Sequence, residues 1–195
     1  MKNIIKNTLI LTIITVIAGC ALGFVYDITK EPIAASKEKA KNEAYQAVMT
    51  GADTFDALEV ETIDLGITGC VIDEVVEAKA GDETKGFVIT TTTSEGYGGN
   101  IQVSIGIAAD GTVKGIEMLS IAETAGLGMN ANTPEFKAQY ADVLTDGFVV
   151  TKTGASADNE IDAISGATIT SNAVTNAVNS AIVYFNNVLG GSVNE

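Results

Sequence analysis

The sequence predicts an α+β chain, in which a single N-terminal transmembrane helix is followed by a mainly antiparallel sheet domain with flanking helices. Three observations carry that expectation. Eighteen residues from Thr8 to Val25 contain no charge. Between Val71 and Leu119, four runs rich in β-branched residues follow one another across short turns, without the strand–helix alternation of a dinucleotide-binding fold. From Val174 onward, Ala177, Val178, Ala181, Ile182, Phe185 and Leu189 recur at helical spacing while Asn172, Thr175, Asn176, Asn179 and Asn186 mostly lie off that face, as an amphipathic helix requires.

The uncharged run spans ~27 Å as a helix at about 1.5 Å per residue, close to the roughly 30 Å of a bilayer's hydrocarbon. Residues 1–26 are therefore expected to form the anchor. Lys2 and Lys6 precede the run, which favours a cytoplasmic N-terminus and an extracytoplasmic C-terminal domain. Ile17-Ala18-Gly19-Cys20 offers a rival, since it is similar to a lipobox at which cleavage would leave a lipidated Cys20. Ala21 to Val25 stay apolar after it, which favours the uncleaved helix, and both readings put the domain on the same side.

Residues 27–50 are expected to be a helical connector standing the domain off the membrane. Thr29 is placed to cap a new helix with Pro32 in its first turn, and the alternative is an extension of the anchor. The domain proper is expected over 51–195. Val71–Ala80 and Lys85–Thr92 form a hairpin around Gly81-Asp82-Glu83-Thr84. Ile101, Val103, Ile105 and Ile107 alternate with smaller or polar residues and turn at Asp110-Gly111 into Val113–Leu119, a second hairpin with one buried face.

The loops between these elements are less decisive. Gly96-Tyr97-Gly98-Gly99 places Tyr97 to cover an aromatic ligand or is simply a flexible loop with one aromatic. Glu123-Thr124-Ala125-Gly126-Leu127-Gly128 is on its own a polar turn with two flexible points. Thr133-Pro134 starts a short helix, Phe148-Val149-Val150 is one more strand, and Gly154 to Glu160 form a surface loop leading to Asp162.

Composition removes several functions. All eleven basic residues are lysine, with no Arg, His or Trp, which excludes a histidine-based catalytic relay or imidazole metal site. The net charge of −14 argues against a nucleic-acid partner. From Asp27 onward nine lysines face all twenty-five acids, a net −16, so that portion is soluble and repelled by anionic lipid. Cys20 and Cys70 are too few and too far apart for a zinc or iron–sulfur site, and no metal is expected.

The most informative stretch is Asp162-Ala163-Ile164-Ser165-Gly166-Ala167-Thr168-Ile169-Thr170-Ser171. Small and hydroxyl residues here meet a helix entrance, where free backbone N–H groups and the positive end of the helix dipole favour an anion, usually phosphate. Gly166 and Ala167 leave room for close approach, and Thr168, Thr170 and Ser171 offer hydroxyls. The plainer reading is a Ser/Thr N-cap after a glycine turn.

Asp162-x-x-Ser165-Gly166-Ala167-Thr168-x-Thr170 resembles the flavinylation motif of the FMN-binding domain family. That domain is shared by the G subunit of the Rnf electron-transport complex and the C subunit of the sodium-pumping NADH:quinone reductase. The resemblance implies that a flavin transferase joins FMN through its phosphate to Thr170, with Asp162, Ser165, Gly166, Ala167 and Thr168 at recognition positions. Other blocks agree: Thr29-Lys30-Glu31-Pro32 is similar to the family's Thr-x-x-Pro segment and Gly96-Tyr97-Gly98-Gly99 to its glycine–tyrosine loop. The segment from Glu123 to Gly128 is similar to its E-T-P-G-L-G loop. Ala125 departs from the proline there, and Ile121 stands where the family often has histidine, which weakens any proton-handling role for the segment. The family loop lines the flavin pocket, implying contacts from Glu123, Thr124, Gly126 and Leu127, with Tyr97 nearby.

The modest length favours the Rnf subunit. The resemblance then implies a membrane-anchored electron-transfer subunit with covalent FMN and no catalytic residue of its own. It would relay electrons within a ferredoxin:NAD oxidoreductase coupled to ion translocation, in the inner or plasma membrane of a bacterial cell. Its partners would be the other subunits, the lipid bilayer and, during maturation, the flavin transferase. The alternatives are the C-type subunit of the sodium pump, a non-redox lipoprotein or assembly subunit, and a flavin-carrying reductase or regulator acting without an Rnf assembly.

Overall fold

The computed structural model describes residues 1–190; residues 191–195 of the expected domain lie outside them. The chain forms two compact units, Met1–Lys41 and the residues from Asn42 onward. An antiparallel sheet domain with helices follows a long apolar helix, as the sequence predicts.

Helix α1 runs Lys2–Val48. It is long and apolar enough to cross a membrane, and its most apolar stretch is not buried by protein. The threonine hydroxyls within that stretch bond back to the helix, Thr8 to the Ile4 carbonyl at 3.0 Å and Thr12 to that of Thr8 at 2.9 Å, so they present no unsatisfied donor to lipid. Thr29 does the same with the Val25 carbonyl at 2.9 Å. It therefore caps nothing. Of the two expectations for 27–50, the extension of the anchor is the one found, with Pro32 inside the helix.

In the second unit, six strands form a meander in sequence order. β1 is Thr54–Leu58, β2 Cys70–Ala80, β3 Glu83–Thr93, β4 Ile101–Ala108, β5 Thr112–Ser120 and β6 Val143–Leu144. Both expected hairpins are present, the first with a tighter turn at Gly81-Asp82. Helix α3, Thr168–Tyr184, followed by a π-helical turn Phe185–Leu189, lays Val174, Ala177, Val178, Ala181 and Ile182 against Ile89, Ile101, Val103, Ile105 and Ile107. The whole apolar face expected from the sequence is buried.

The expectation that β4 has one buried face is corrected. Its other face carries Ser104 and Gly106, both covered. The end of α1 packs there, with Tyr45, Val48 and the following Met49 against Val76, Ala78 and Val88. Gly106 is what permits the approach, since a Cβ there would lie 2.9 Å from the Val48 carbonyl carbon. Ser104 settles its hydroxyl against that of Thr90 at 3.1 Å.

The remaining elements deliver the chain to α3. Thr133 caps helix α2, Pro134–Ala138, as predicted. β7, Val149–Thr151, pairs in parallel with β8, Glu160–Asp162. Asn179 of α3 braces this pair through the Phe148 backbone, accepting from its N–H at 2.8 Å and donating to its carbonyl at 2.9 Å. Glu160 accepts from the Ser156 backbone N–H at 2.7 Å and the Ser156 hydroxyl at 2.9 Å, bonds that hold its carboxyl below the usual range.

Candidate functional site

Between Ile164 and Thr168 the backbone makes a tight turn with Gly166 at φ 76°. The Ala167 N–H returns to the Ile164 carbonyl at 2.9 Å. The residue at the N-cap of α3 is Ala167, and no side chain caps the helix. The Ser/Thr N-cap reading is thereby excluded, and among the described residues no side chain takes up the first-turn N–H groups of Thr168, Ile169 and Thr170.

The hydroxyls around this turn divide. Ser171 is committed to holding it, accepting from the Ile164 N–H at 2.9 Å and donating to the Ala167 carbonyl at 3.1 Å. It is thus a structural residue rather than the ligand hydroxyl expected from the sequence. Thr175 donates to the Ser171 carbonyl and meets the Tyr140 hydroxyl at 2.8 Å; burial raises the Tyr140 pKa, which keeps the phenol neutral. Ser180 donates to the Asn176 carbonyl at 2.8 Å. Thr170 is only 1% exposed, yet among the described residues its hydroxyl has no hydrogen-bond partner.

Thr170 lines a cleft of ≈ 530 Å³, within the usual range of a cofactor site. One wall is Gly166, Ala167, Thr168, Ile169 and Thr170; the other is Glu123, Thr124, Leu127 and Gly128; Tyr97 also borders it. Three blocks far apart in sequence thus converge. The loop bearing Tyr97 is fixed to α3 where Asn176 donates to the Glu95 carboxylate at 2.8 Å. Tyr97, Leu127 and Ile169 are exposed at 74%, 42% and 55%, an apolar rim open to an aromatic guest.

Three expected residues do not line the cleft. Asp162 accepts from the Ala155 N–H at 2.7 Å, shaping the preceding loop, while its own N–H donates to Gln139 at 2.6 Å. Ser165 is an exposed residue of the turn. Gly126 shapes the opposite loop at φ 76°, where Leu127 and Met129 donate to the Thr124 carbonyl. Two lining residues, Gly128 and Ile169, were not singled out from sequence as cofactor contacts, although both lie inside the quoted motifs. Ile121, at the position aligned with histidine, packs against the core.

A phosphate-linked flavin fits these residues. The uncapped helix start suits its phosphate and the rim suits its ring, and the Glu123 carboxylate makes no hydrogen bond among the described residues, its Oε1 being buried without a partner there. Gly128 keeps the floor open: a Cβ there would lie 2.7 Å from both Glu123 Oε2 and Thr170 Oγ1. Among the described residues no lysine lines the cleft, so the attraction it offers a phosphate is that of the helix end.

Comparison with known proteins gives a consistent result. Residues 96–183 match the model of the FMN-binding domain, and residues 1–48 that of the RnfG N-terminal region. The chain is 35% identical to the G subunit of the Na(+)-translocating ferredoxin:NAD(+) oxidoreductase complex of Acetobacterium woodii, covering 96% of this chain and 94% of that one. It is 33% identical to the proton-translocating counterpart of Clostridium ljungdahlii, covering 97% and 96%. In fold it is similar to NqrC of Shewanella oneidensis, with a TM-score of 0.54 and 17% identity over 74% of this chain and 72% of that one.

Proposed function

We infer the function from one premise: the chain belongs to the G-subunit family of Rnf ion-translocating oxidoreductase complexes, and it carries that family's FMN-binding domain. Its work is electron transport within such a complex. In our reading, FMN is held covalently through a phosphoester to the Thr170 oxygen, installed by a flavin transferase. FMN bound there supplies one- and two-electron transfer.

The observation that carries the attachment is Thr170 itself, a nearly buried residue of the cleft lining whose hydroxyl makes no hydrogen bond among the described residues. The chain's residues divide the remaining tasks. First-turn N–H groups of α3 hold the phosphodiester, and Gly166 and Ala167 allow its approach. Thr168 adds a hydroxyl, and Ser165 and Asp162 shape the turn the transferase recognises. Thr124, Gly126 and Leu127 form the facing loop, while Tyr97 and Ile169 flank the ring. Lys2 and Lys6 support a domain on the outer face of the membrane. There it relays electrons between redox centres of partner subunits during ferredoxin:NAD oxidoreduction.

Intact mass of the detergent-extracted chain, from a host containing the flavin transferase, tests this reading. The wild type should gain one FMN less water, Thr170→Ser should retain the adduct, and Thr170→Val should have the bare mass. The same spectrum reports whether Cys20 has been processed. A bare wild-type mass in cells that flavinylate other proteins, or flavin fluorescence persisting on denatured Thr170→Val, would remove Thr170 as the attachment point.

A further inference from the structure

Among the described residues Glu123 is the one carboxylate lining the cleft. Its placement depends on two missing side chains. A Cβ on Gly96 would lie 3.0 Å from its Oε1, and a Cβ on Gly128 would lie 2.7 Å from its Oε2. The carboxylate therefore occupies a slot between the Tyr97 loop and the start of the 3-10 turn Gly128–Asn132. A further glycine tightens the same seam, since a Cβ on Gly98 would lie 3.2 Å from the Glu123 Cα. Despite this enclosure, Oε1 is buried without a partner among the described residues. Oε2, beside Gly128 and Thr170, also makes no hydrogen bond among the described residues and is the oxygen turned to the cleft, so the carboxylate as a whole is left for a donor to complete.

We propose that Glu123, in the slot between Gly96 and Gly128, binds the cofactor's polyol chain by accepting hydrogen bonds from its hydroxyls. The proposal rests on the flavin reading above and specifies which part of the flavin this residue recognises. Position selects the polyol. Glu123 Oε2 and Thr170 Oγ1 lie at the same distance, 2.7 Å, from one point above Gly128, so they are no more than twice that distance apart. Groups within reach of an acceptor so near the tether are those that follow the phosphate, the ribityl hydroxyls, whereas the ring's imide N–H lies at the far end. The chemistry agrees. A carboxylate is an acceptor-only group, hydroxyls are donors, and a charge-assisted bond of this kind is stronger than a neutral one.

The test removes the tether. Riboflavin, which has the polyol but no phosphate, and lumiflavin, which has the ring but no polyol, are titrated into detergent-solubilised full-length Thr170→Val by fluorescence quenching. With Glu123 present, riboflavin should bind about tenfold or more tighter than lumiflavin, the scale of one charge-assisted hydrogen bond. Glu123→Ala should bring the two affinities together by weakening riboflavin alone, and Glu123→Gln, which keeps an acceptor oxygen, should restore part of the difference. An unchanged riboflavin preference in Glu123→Ala overturns the proposal. Equal loss of both flavins also overturns it, assigning the carboxylate to the ring or to the fold. If untethered flavins bind too weakly to measure, anisotropy of the attached flavin decides: it should fall in Glu123→Ala and recover in Glu123→Gln, and no change refutes the role. Because the titrations use a chain that cannot be esterified at position 170, failure of the covalent reading and failure of this one give different results.

Discussion

Thr170, Ser171, Thr175 and Ser180 are all buried on α3, and three of them return their hydroxyls to the carbonyl four residues back. Thr170 does not, and the space that frees it is the absence of a side chain at Gly128. Gly128→Ala should therefore be damaging out of proportion to its size. The new methyl would meet the Thr170 oxygen and also the Glu123 Cβ, each at 2.7 Å, and the latter is not a flexible tip that can swing aside. The backbone at Gly128 is not in the positive-φ region, so a fold disrupted by strain is not the expected result. The expected result is a folded chain with sharply reduced flavin adduct by intact mass, and full adduct would show that the floor of the cleft yields. That Thr170 belongs to the cleft was legible in the sequence through the surrounding motif. Glu123's orphaned oxygen was not, because whether an acceptor is satisfied depends on which loops close over it. Ser171 was misjudged for the same reason, since nothing local to its sequence position reveals that Ile164 turns back to it.

At the scale of elements, the helix face of α3 and the alternation of β4 could be read directly because a single periodicity governed each. The second covered face of β4 escaped that reading. Its cover is the end of α1, distant in sequence, and the residues beneath it are Ser104 and Gly106, which look like solvent-facing positions in a pattern of hydrophobicity. The parallel pairing of β7 with β8 escaped as well, since strands of three residues carry too little pattern to count. Smallness at position 106 is a packing requirement. Gly106→Ala should press its methyl on the Val48 carbonyl carbon at 2.9 Å and on the Val48 Cβ at 3.0 Å. Backbone there cannot yield cheaply, so a loss of about 1–3 kcal/mol is expected, read as a lower thermal midpoint for the full chain in detergent. An unchanged midpoint would mean that the end of α1 detaches from the sheet at little cost. In that case the Tyr45 hydroxyl's bond to Glu74, at 3.0 Å, should also prove dispensable.

For the whole molecule, charge is distributed by region. The acidic residues all follow Tyr26, and the only charged side chains before the apolar run are Lys2 and Lys6. This asymmetry favours export of the second unit, and export would give a covalent tether its physical sense. A flavin held only by contacts on the outer face dissociates into a volume that returns none of it, whereas a tether keeps its effective concentration near the millimolar range or above. Attachment and topology are therefore linked expectations. Asp82, in the exposed turn between β2 and β3, reports topology without touching the cleft. In a Cys70→Ser background, Asp82→Cys should react with a membrane-impermeant maleimide in intact spheroplasts as fully as after lysis. Replacing Lys2 and Lys6 with glutamate should lower that fraction. Labelling only after lysis would put the cleft in the cytoplasm, where a free flavin pool could resupply the site and the case for a tether would rest on electron-transfer geometry alone.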